Sequence, residues 1–297
     1  FSGFGADAVV ARLAAAGARL LIASPSFERR GRTVDLEQVV RAAWPRLPTL
    51  ERVLWHTHAP ATVRDAAREA LLADWTDDRA TVAFDWPAFD ADHPFMLIHT
   101  SGTTGKPKGI VHTHGGFPLK IAHDALVHFD LAPGDVFCWP ADMGWIAGSL
   151  VLSAALLRGA TLVCYSGGPD YPDWSRMSRL VERHRITHFG SAPTLIRGMA
   201  SHAHAALAGD VGSVRLLVTA GEAIDPEHFT WFQRSFGRGV CPLINYTGGT
   251  EASGALLGSV VVRPIVPSGF NSPSPGVAVD VVDSDGAPLV DAVGELA

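Results

Sequence analysis

Residues 99–109 read His-Thr-Ser-Gly-Thr-Thr-Gly-Lys-Pro-Lys-Gly, and an apolar, strand-like run at 95–98 leads into them. Glycines let successive backbone N–H groups converge on one anion, because a positive φ costs them little. Hydroxyl groups donate to phosphate oxygens, and lysines add positive charge. The stretch therefore predicts a polyphosphate-binding loop. Its candidate phosphate-binding residues are Thr100, Ser101, Gly102, Thr103, Thr104, Gly105, Lys106 and Lys108.

This loop differs from the P-loop of nucleotide hydrolases. A P-loop has a glycine five residues before its Gly-Lys pair and a Ser or Thr directly after the lysine. Thr100 and Pro107 hold these positions here. Because Pro107 lacks an N–H and has a fixed φ, it stiffens the loop where a P-loop would begin its helix. A plain surface loop would explain the glycines but not the ordered hydroxyl residues and lysines.

The chain as a whole resembles the adenylate-forming enzymes, which include acyl- and aryl-CoA synthetases, luciferases and the adenylation domains of peptide synthetases. Residues 100–109 look like the phosphate-loop signature of this superfamily, and within it the likeness is greatest to the acetyl-, propionyl- and acetoacetyl-CoA synthetase group. Four further segments follow in the family's order, at 111–116, 142–145, 220–222 and 249–251. The likeness runs from the first residues to the last, and an ordered set of motifs is more specific than any one of them.

Composition is that of an ordinary globular protein. The 297 residues are 47% hydrophobic and carry a net charge of −6, which suffices for a sizeable core and argues against nucleic acid as a partner. No apolar run approaches the ~18 residues of a membrane span. No signal peptide is visible, so we expect a cytoplasmic chain with small-molecule partners; the sequence leaves its oligomeric state open.

Cysteine and histidine patterns give no clear metal site. The three cysteines (Cys138, Cys164 and Cys241) are widely spaced in apolar contexts, so we expect reduced core cysteines, with a catalytic thiol as the alternative. His-x-His pairs begin at residues 56, 112 and 202. On a strand such a pair could bind zinc, but Cys, Asp or Glu partners at metal-site spacing are missing, which favours surface or loop histidines.

Helical and strand patterns alternate along the chain, which predicts an α/β fold. Together with the resemblance, they predict mixed, mainly parallel sheets flanked by helices. Helices are predicted at 7–16, 36–43, 62–74, 120–127, 149–158 and 175–184. Strands are predicted at 19–23, 52–56, 95–99, 135–139, 161–165, 186–189, 214–219 and 244–247. A hairpin signal at 283–286 separates 278–282 from 294–297.

The resemblance divides the chain into residues 1–94, a first α/β part; 95–262, which would bind ATP and the acyl group; and 263–297, the start of a small β-barrel-like subdomain. The C-terminal cap domain of the family would lie beyond residue 297. We therefore expect the chain to be the central part of a catalytic domain, unable to turn over unaided.

Three motif-bearing loops each follow a predicted strand: the phosphate loop, the loop at 221–222 and the loop at 247–251. In open α/β sheets, ligands bind beyond the carboxyl ends of the strands. We therefore expect these three loops to converge on one ligand.

The resemblance implies an ATP-dependent acyl-CoA synthetase, which joins a carboxylate to the α-phosphate of ATP and then transfers the acyl group to coenzyme A. The protein must neutralise the repulsion between two anions. Mg²⁺ prefers oxygen ligands, and the resemblance assigns it to Glu251, with Thr250 as a hydroxyl donor to phosphate. By itself, a Thr-Glu pair could equally be a helix N-cap.

Adenosine contacts follow from the same resemblance. It assigns them to Gly221, Glu222, Ala223, Asn245, Tyr246 and Thr247. The family usually has proline at 223, and an aromatic ring that stacks on adenine at 247. Here the aromatic residue comes one position earlier, and one residue changes face on a strand. Either a bulge brings Tyr246 round, or Thr247 packs against the base and Tyr246 faces the core.

The acyl pocket is where this chain departs from acetyl-CoA synthetases, which place a tryptophan at the position of Gly248. Loss of an indole opens space. The other pocket positions are Trp145, Ile146, Ala147 and Ala220, a wall without a cation. We therefore expect a short- to medium-chain acid larger than acetate, with modest discrimination per methylene. Two alternatives stay open: an adenylation domain that loads a carrier protein, and a non-catalytic nucleotide-binding fragment.

Overall fold

The structure is a computed structural model that describes residues 3–76, 85–100 and 107–297, with the side chain of residue 61 left out. The chain divides into two compact units. Unit 1 comprises residues 1–116 and 166–172, and unit 2 comprises 117–165 and 173–297. The domain boundaries expected at 94 and 262 stay predictions.

Unit 1 contains a parallel three-stranded sheet in the order β1-β4-β5 and two antiparallel ribbons, β2-β3 and β6-β7. Its elements are α1 (Ala6–Ala15), β1 (Leu20–Ala23), β2 (Ser26–Arg29), β3 (Arg32–Asp35), α2 (Glu37–Ala43), β4 (Arg52–Trp55), β5 (Glu69–Leu71), α3 (Leu72–Trp75), β6 (Pro94–Thr100) and β7 (Lys108–Thr113). Short 3-10 turns cover Trp44–Arg46 and Pro60–Thr62.

The helix predicted at 62–74 is wrong, since β5 lies within it and only Leu72–Trp75 is helical. Ala70 pairs in parallel with Leu54 of β4. The carboxylate of Glu69, which is 3% exposed, accepts hydrogen bonds from Arg41 at 2.9 Å and from the indole of Trp55 at 3.1 Å. These tertiary contacts override the favourable helix propensity of an alanine-rich stretch.

Unit 2 is built on a seven-stranded sheet in the order β14-β13-β12-β11-β10-β8-β9. Its elements are α4 (Gly116–Val127), which starts on the last residue of unit 1, β8 (Val136–Cys138), α5 (Ile146–Arg158), β9 (Thr161–Leu162), α6 (Arg176–His184), β10 (His188–Ser191), α7 (Pro193–Ser201), α8 (Ala203–Ala206), β11 (Leu216–Ala220), α9 (Pro226–Ser235), β12 (Leu243–Gly249), β13 (Gly254–Gly258), β14 (Ser272–Pro273), β15 (Val281–Val282) and β16 (Glu295–Leu296).

Neighbouring strands from β9 to β12 run parallel, and β13 and β14 add antiparallel edges. The predicted mixed, mainly parallel α/β architecture is therefore confirmed. The central strands are continuous apolar runs because a parallel sheet is buried on both faces. Phe189 of β10 stacks on Phe236 with ring centroids 5.4 Å apart, and helices α6, α7 and α9 complete this core.

Helix ends in unit 2 follow local rules. Helix α5 ends at Arg158, and the following residue, Gly159, closes its last turn with a φ of 67°. Asp225 caps α9 by accepting a hydrogen bond from the N–H of His228 at 2.9 Å. Helices α4 and α5 begin at Gly116 and Ile146, several residues before their predicted starts. The earlier start of α5 places the candidate pocket residues 146 and 147 in its first turn.

The two predicted arms of the C-terminal hairpin do pair, with Val281 opposite Leu296; the β-barrel-like subdomain stays a prediction. Two expectations about single residues are wrong. Cys164 is exposed, because edge strand β9 ends before it, whereas Cys138 and Cys241 are buried. His112 is 5% exposed on the inward face of β7 rather than in a surface loop.

Among the described residues, no helix combines the length and the apolar character needed to cross a bilayer. Within the same residues, no group of three or more His, Cys, Asp or Glu side chains is arranged to hold a metal ion.

Candidate active site

Two adjoining cavities lie at the carboxyl ends of the parallel strands of unit 2, where open α/β sheets bind their ligands. We call them the apolar cavity, of about 500 Å³, and the smaller cavity, of about 380 Å³. They share four lining residues, Gly221, Glu222, Tyr246 and Gly248. The pairing of Ala220 with Tyr246 in β11 and β12 brings the loop at 221–222 beside the end of β12.

All five residues predicted for the acyl pocket line the apolar cavity. They are Trp145, Ile146, Ala147, Ala220 and Gly248. Around them lie further apolar side chains, among them Trp139, Pro140 and Leu150. The lining also includes Asp142 and Glu222 but, among the described residues, no lysine or arginine. Its mainly apolar side chains suit a hydrocarbon group.

The smaller cavity contains all six residues predicted to contact adenosine. They are Gly221, Glu222, Ala223, Asn245, Tyr246 and Thr247, and Ile224, Ser268 and Phe270 lie in the same lining. Gly221 has a φ of 96°, a conformation that side-chain-bearing residues rarely adopt. The amide of Asn245 donates to the carbonyl of Ser268 at 2.9 Å and so ties the loop carrying Phe270 to β12.

The sequence left open whether a bulge brings Tyr246 towards adenine or whether Tyr246 faces the core. In the structure, Tyr246 faces the core. Its side chain is 6% exposed, its ring centroid lies 5.1 Å from that of Phe129, and its hydroxyl donates to Asp124 at 2.6 Å. The bulge in β12 falls between Thr247 and Gly248. Because it comes after Tyr246, it does not turn the Tyr246 side chain to the other face of the strand. Phe270, 40% exposed, offers an exposed aromatic side chain in the lining of the smaller cavity.

Asp124 is a fully buried carboxylate that joins α4 to the wall of both cavities. Besides Tyr246, it accepts hydrogen bonds from Lys120 at 2.7 Å, from His123 at 2.9 Å and from the backbone N–H of Ala255 in β13 at 2.8 Å. Burial raises the pKa of Asp124, but these donors favour the charged form and together hold its pKa below the usual range.

Glu222 is held by helix α7. Its carboxylate accepts hydrogen bonds from the hydroxyl of Thr194 and from the guanidinium of Arg197, each at 2.7 Å. Since Glu222 lines both cavities, α7 fixes the side chain that stands between them. Thr194 and Arg197 are not part of any motif recognised in the sequence. Their hydrogen bonds to Glu222 therefore could not be predicted.

Gly248 is required by the backbone around it. A Cβ atom there would collide with the carbonyl oxygen of Gly254 in the paired strand β13. Substitution of Gly248 by tryptophan would therefore disturb the β12–β13 pairing as well as the cavity. The effect of this residue on acid size stays a prediction.

The predicted metal-binding pair lies in the turn after β12. Glu251 is exposed, and its Oε2 atom would be 3.2 Å from a Cβ placed on Gly249, which lines the apolar cavity. Glu251 itself lines neither cavity. Thr250 precedes it in the same turn and lines neither cavity.

Most of the predicted phosphate loop, residues 101–106, lies outside the described residues. Its two ends are described: Thr100 closes β6 and pairs with Lys108, the first residue of β7. The loop therefore joins two antiparallel strands, whereas a P-loop leads from a strand into a helix. This agrees with the departure from the P-loop motif in the sequence.

Comparison with known proteins finds relatives that match nearly the whole chain. Acetyl-coenzyme A synthetase of Chlorobaculum tepidum is 35% identical to the chain over 97% of its length, and that of Mycolicibacterium smegmatis is 34% identical over 99%. The chain spans 44% and 32% of the lengths of these two relatives. The structure of acetoacetyl-CoA synthetase from Streptomyces lividans superposes with a TM-score of 0.85 at 29% identity, covering 99% of this chain and 45% of the other.

The sequence profile of the AMP-binding enzymes matches residues 1–297, from the first residue of the chain to the last. Together with the relatives at about 35% identity, this match means that the chain belongs to the AMP-binding enzyme family.

Proposed function

We propose that the chain is part of an ATP-dependent acyl-CoA synthetase that converts a short- to medium-chain carboxylic acid, larger than acetate, to its acyl-adenylate and then to its coenzyme A thioester. The observation that carries this proposal is the pair of adjoining cavities, which separates an apolar compartment from a smaller one lined by Asn245 and Phe270. An acyl-adenylate has the same two parts, a hydrocarbon group and a nucleotide.

In this arrangement, the acyl chain occupies the apolar cavity and adenosine occupies the smaller one. Gly221 and Gly248 lie on the wall that both share, so the bond between acyl group and phosphate belongs beside them. Phe270 supplies the exposed ring for adenine, because the ring of Tyr246 is buried in the core. From the sequence alone, we assign the β- and γ-phosphates to the hydroxyl groups and lysines of residues 100–108.

The oxygen atoms of Thr250 and Glu251 are of the type that Mg²⁺ prefers. Mg²⁺ takes oxygen ligands and is held in nucleotide sites by one or two carboxylates together with substrate phosphates. Glu251 offers an exposed carboxylate in the turn after β12 and would hold the ion there; when bound, Mg²⁺ would neutralise phosphate charge. Thr250 lies beside it as a hydroxyl donor.

A calorimetric titration of the chain with non-hydrolysable acyl-adenylate analogues tests the proposal. The series runs from acetyl to hexanoyl, with acetoacetyl and with AMP as the reference that lacks an acyl group. Each methylene buried in the apolar cavity contributes about 0.8 kcal/mol, or about fourfold in affinity. We expect affinity to rise from acetyl to at least butanoyl.

Two variants locate the two halves of the ligand. Phe270→Ala should weaken AMP and every analogue alike, because base stacking contributes about 1–3 kcal/mol regardless of the acyl group. Ile146→Phe should weaken the longer analogues and leave AMP unchanged. Tightest binding by the acetyl analogue would overturn the acid size, and failure of AMP and of all analogues to bind would overturn the assignment of the cavities.

A further inference from the structure

We propose that Trp139, seated against Gly190, forms the end of the apolar cavity and limits the length of the acid that the cavity accepts. This inference rests on the proposed function, because it concerns the part of the cavity assigned to the acyl chain. Neither residue belongs to the motifs of the sequence.

The contact between the two residues follows from strand pairing. Trp139 directly follows β8, and Cys138 at the end of β8 is paired with Phe189 of β10, so Gly190 is the next residue of the neighbouring strand. A Cβ atom on Gly190 would lie 2.8 Å from Cε3 of the Trp139 indole and closer still to its Cγ and Cδ2 atoms. The indole therefore fills the space that any side chain at position 190 would need.

The indole also has a neighbour in the core. The ring of Phe129 meets it edge to face, with centroids 6.2 Å apart and an angle of 74° between the rings. Phe129 is fully buried and also contacts Tyr246 and Phe137, so it has little freedom to yield. Trp139 itself lines the apolar cavity. A group added at position 190 must therefore displace the indole towards the cavity.

Two substitutions should change acid preference in opposite directions. Gly190→Ala adds a methyl group beneath the indole and should shorten the cavity, whereas Trp139→Leu removes most of the ring and should lengthen it. Burying one more methylene in open space gains about fourfold in affinity, whereas a methylene that no longer fits the closed end of a pocket is rejected by about 10- to 200-fold. We therefore expect Gly190→Ala to lower the ratio of hexanoyl to acetyl analogue affinity by at least about tenfold. We expect Trp139→Leu to raise the same ratio.

The chain offers a matched control in a second glycine–indole contact. A Cβ atom on Gly198 of α7 would collide with Trp174 in the same way, but neither residue lines the apolar cavity. Trp174 stacks on His202 instead, with ring centroids 4.8 Å apart. Gly198→Ala carries the same kind of local strain and should leave the affinity ratio unchanged.

All four proteins are titrated with acetyl, butanoyl and hexanoyl analogues and with AMP, and circular dichroism checks that each is folded. Opposite shifts in Gly190→Ala and Trp139→Leu, with Gly198→Ala unchanged, support the inference. Unchanged ratios in both cavity variants, or an equal shift in Gly198→Ala, overturn it. If Gly190→Ala does not fold, Trp139→Leu decides alone. Failure of the unaltered chain to bind AMP or any analogue would overturn the proposed function instead.

Discussion

The hydrogen bond from Tyr246 to Asp124 should make a large contribution to the stability of unit 2. Tyr246→Phe leaves the ring in place and removes the hydroxyl, together with its 2.6 Å hydrogen bond to a fully buried carboxylate. A hydrogen bond to a charged group contributes about 1.5–3 kcal/mol, and an acceptor left unsatisfied in the interior adds to the destabilisation. Lys120, His123, the N–H of Ala255 and, at 3.5 Å, Ser274 still donate to Asp124. We therefore expect the free energy of unfolding to fall by about 2 kcal/mol.

The assay is urea unfolding of the chain and the Tyr246→Phe variant, followed by tryptophan fluorescence and circular dichroism from pH 7 to pH 3. The folded state lowers the pKa of Asp124, so the charged carboxylate stabilises the fold fully above its unfolded pKa of about 3.9. That stabilisation is lost as the pH falls through the lower folded pKa. Tyr246→Phe removes one of the bonds that lower this pKa. Because the unfolded state is the same in both proteins, their difference in stability should be constant at neutral pH and shrink as the pH falls through the folded pKa of Asp124 in the variant.

A double-mutant cycle with Asp124→Asn separates this bond from other effects of the substitution. The two changes should be coupled by at least about 1 kcal/mol at pH 7. A difference below about 0.5 kcal/mol between the chain and Tyr246→Phe would mean that the bond contributes little. Additive effects in the cycle would rule out a charged Asp124 as the acceptor that matters.

In unit 1, Glu69→Gln weakens a buried ion pair with Arg41 and should lower the free energy of unfolding by about 3 kcal/mol. The control Glu51→Gln alters an exposed ion pair and should change it little; equal effects in urea unfolding would contradict the burial argument. At pH 8, a disulfide reagent should modify one thiol quickly, that of exposed Cys164, because burial raises the pKa of Cys138 to about 12. Fast labelling that survives in Cys164→Ser would contradict the assignment.

Sequence patterns predicted the fold class because buried parallel strands have a distinctive composition. The run around Val218 is apolar at consecutive positions, which is typical of a strand covered on both faces. The failure at 62–74 has the opposite cause. A short strand that carries a buried charge, Glu69, has no periodicity of its own, and its structure depends on Arg41 and Trp55 elsewhere in the chain.

The site was predictable where a motif follows a strand. Parallel strands end at the same edge of a sheet, so the loops at 221–222 and 247–251 were expected to meet. Residues 221, 222 and 247–249 line the adjoining cavities, and convergence of the phosphate loop with them stays a prediction. The face of β12 on which the Tyr246 side chain lies was not predictable. It depends on whether the bulge in β12 comes before or after Tyr246. Trp139 and Phe270 were also missed. Trp139 lines the apolar cavity because β8 lies next to β10 in the sheet. Phe270 lines the smaller cavity because its loop is bound to β12 through Asn245. No local sequence pattern indicates either contact.

A crystal structure of the chain with a non-hydrolysable butanoyl-adenylate analogue would test whether the two adjoining cavities hold one acyl-adenylate. We expect adenine in the smaller cavity against Phe270, and the butanoyl chain in the apolar cavity pointing towards Trp139. An acyl chain outside the apolar cavity, or a nucleotide bound away from Asn245 and Gly221, would show that the cavities have been assigned wrongly.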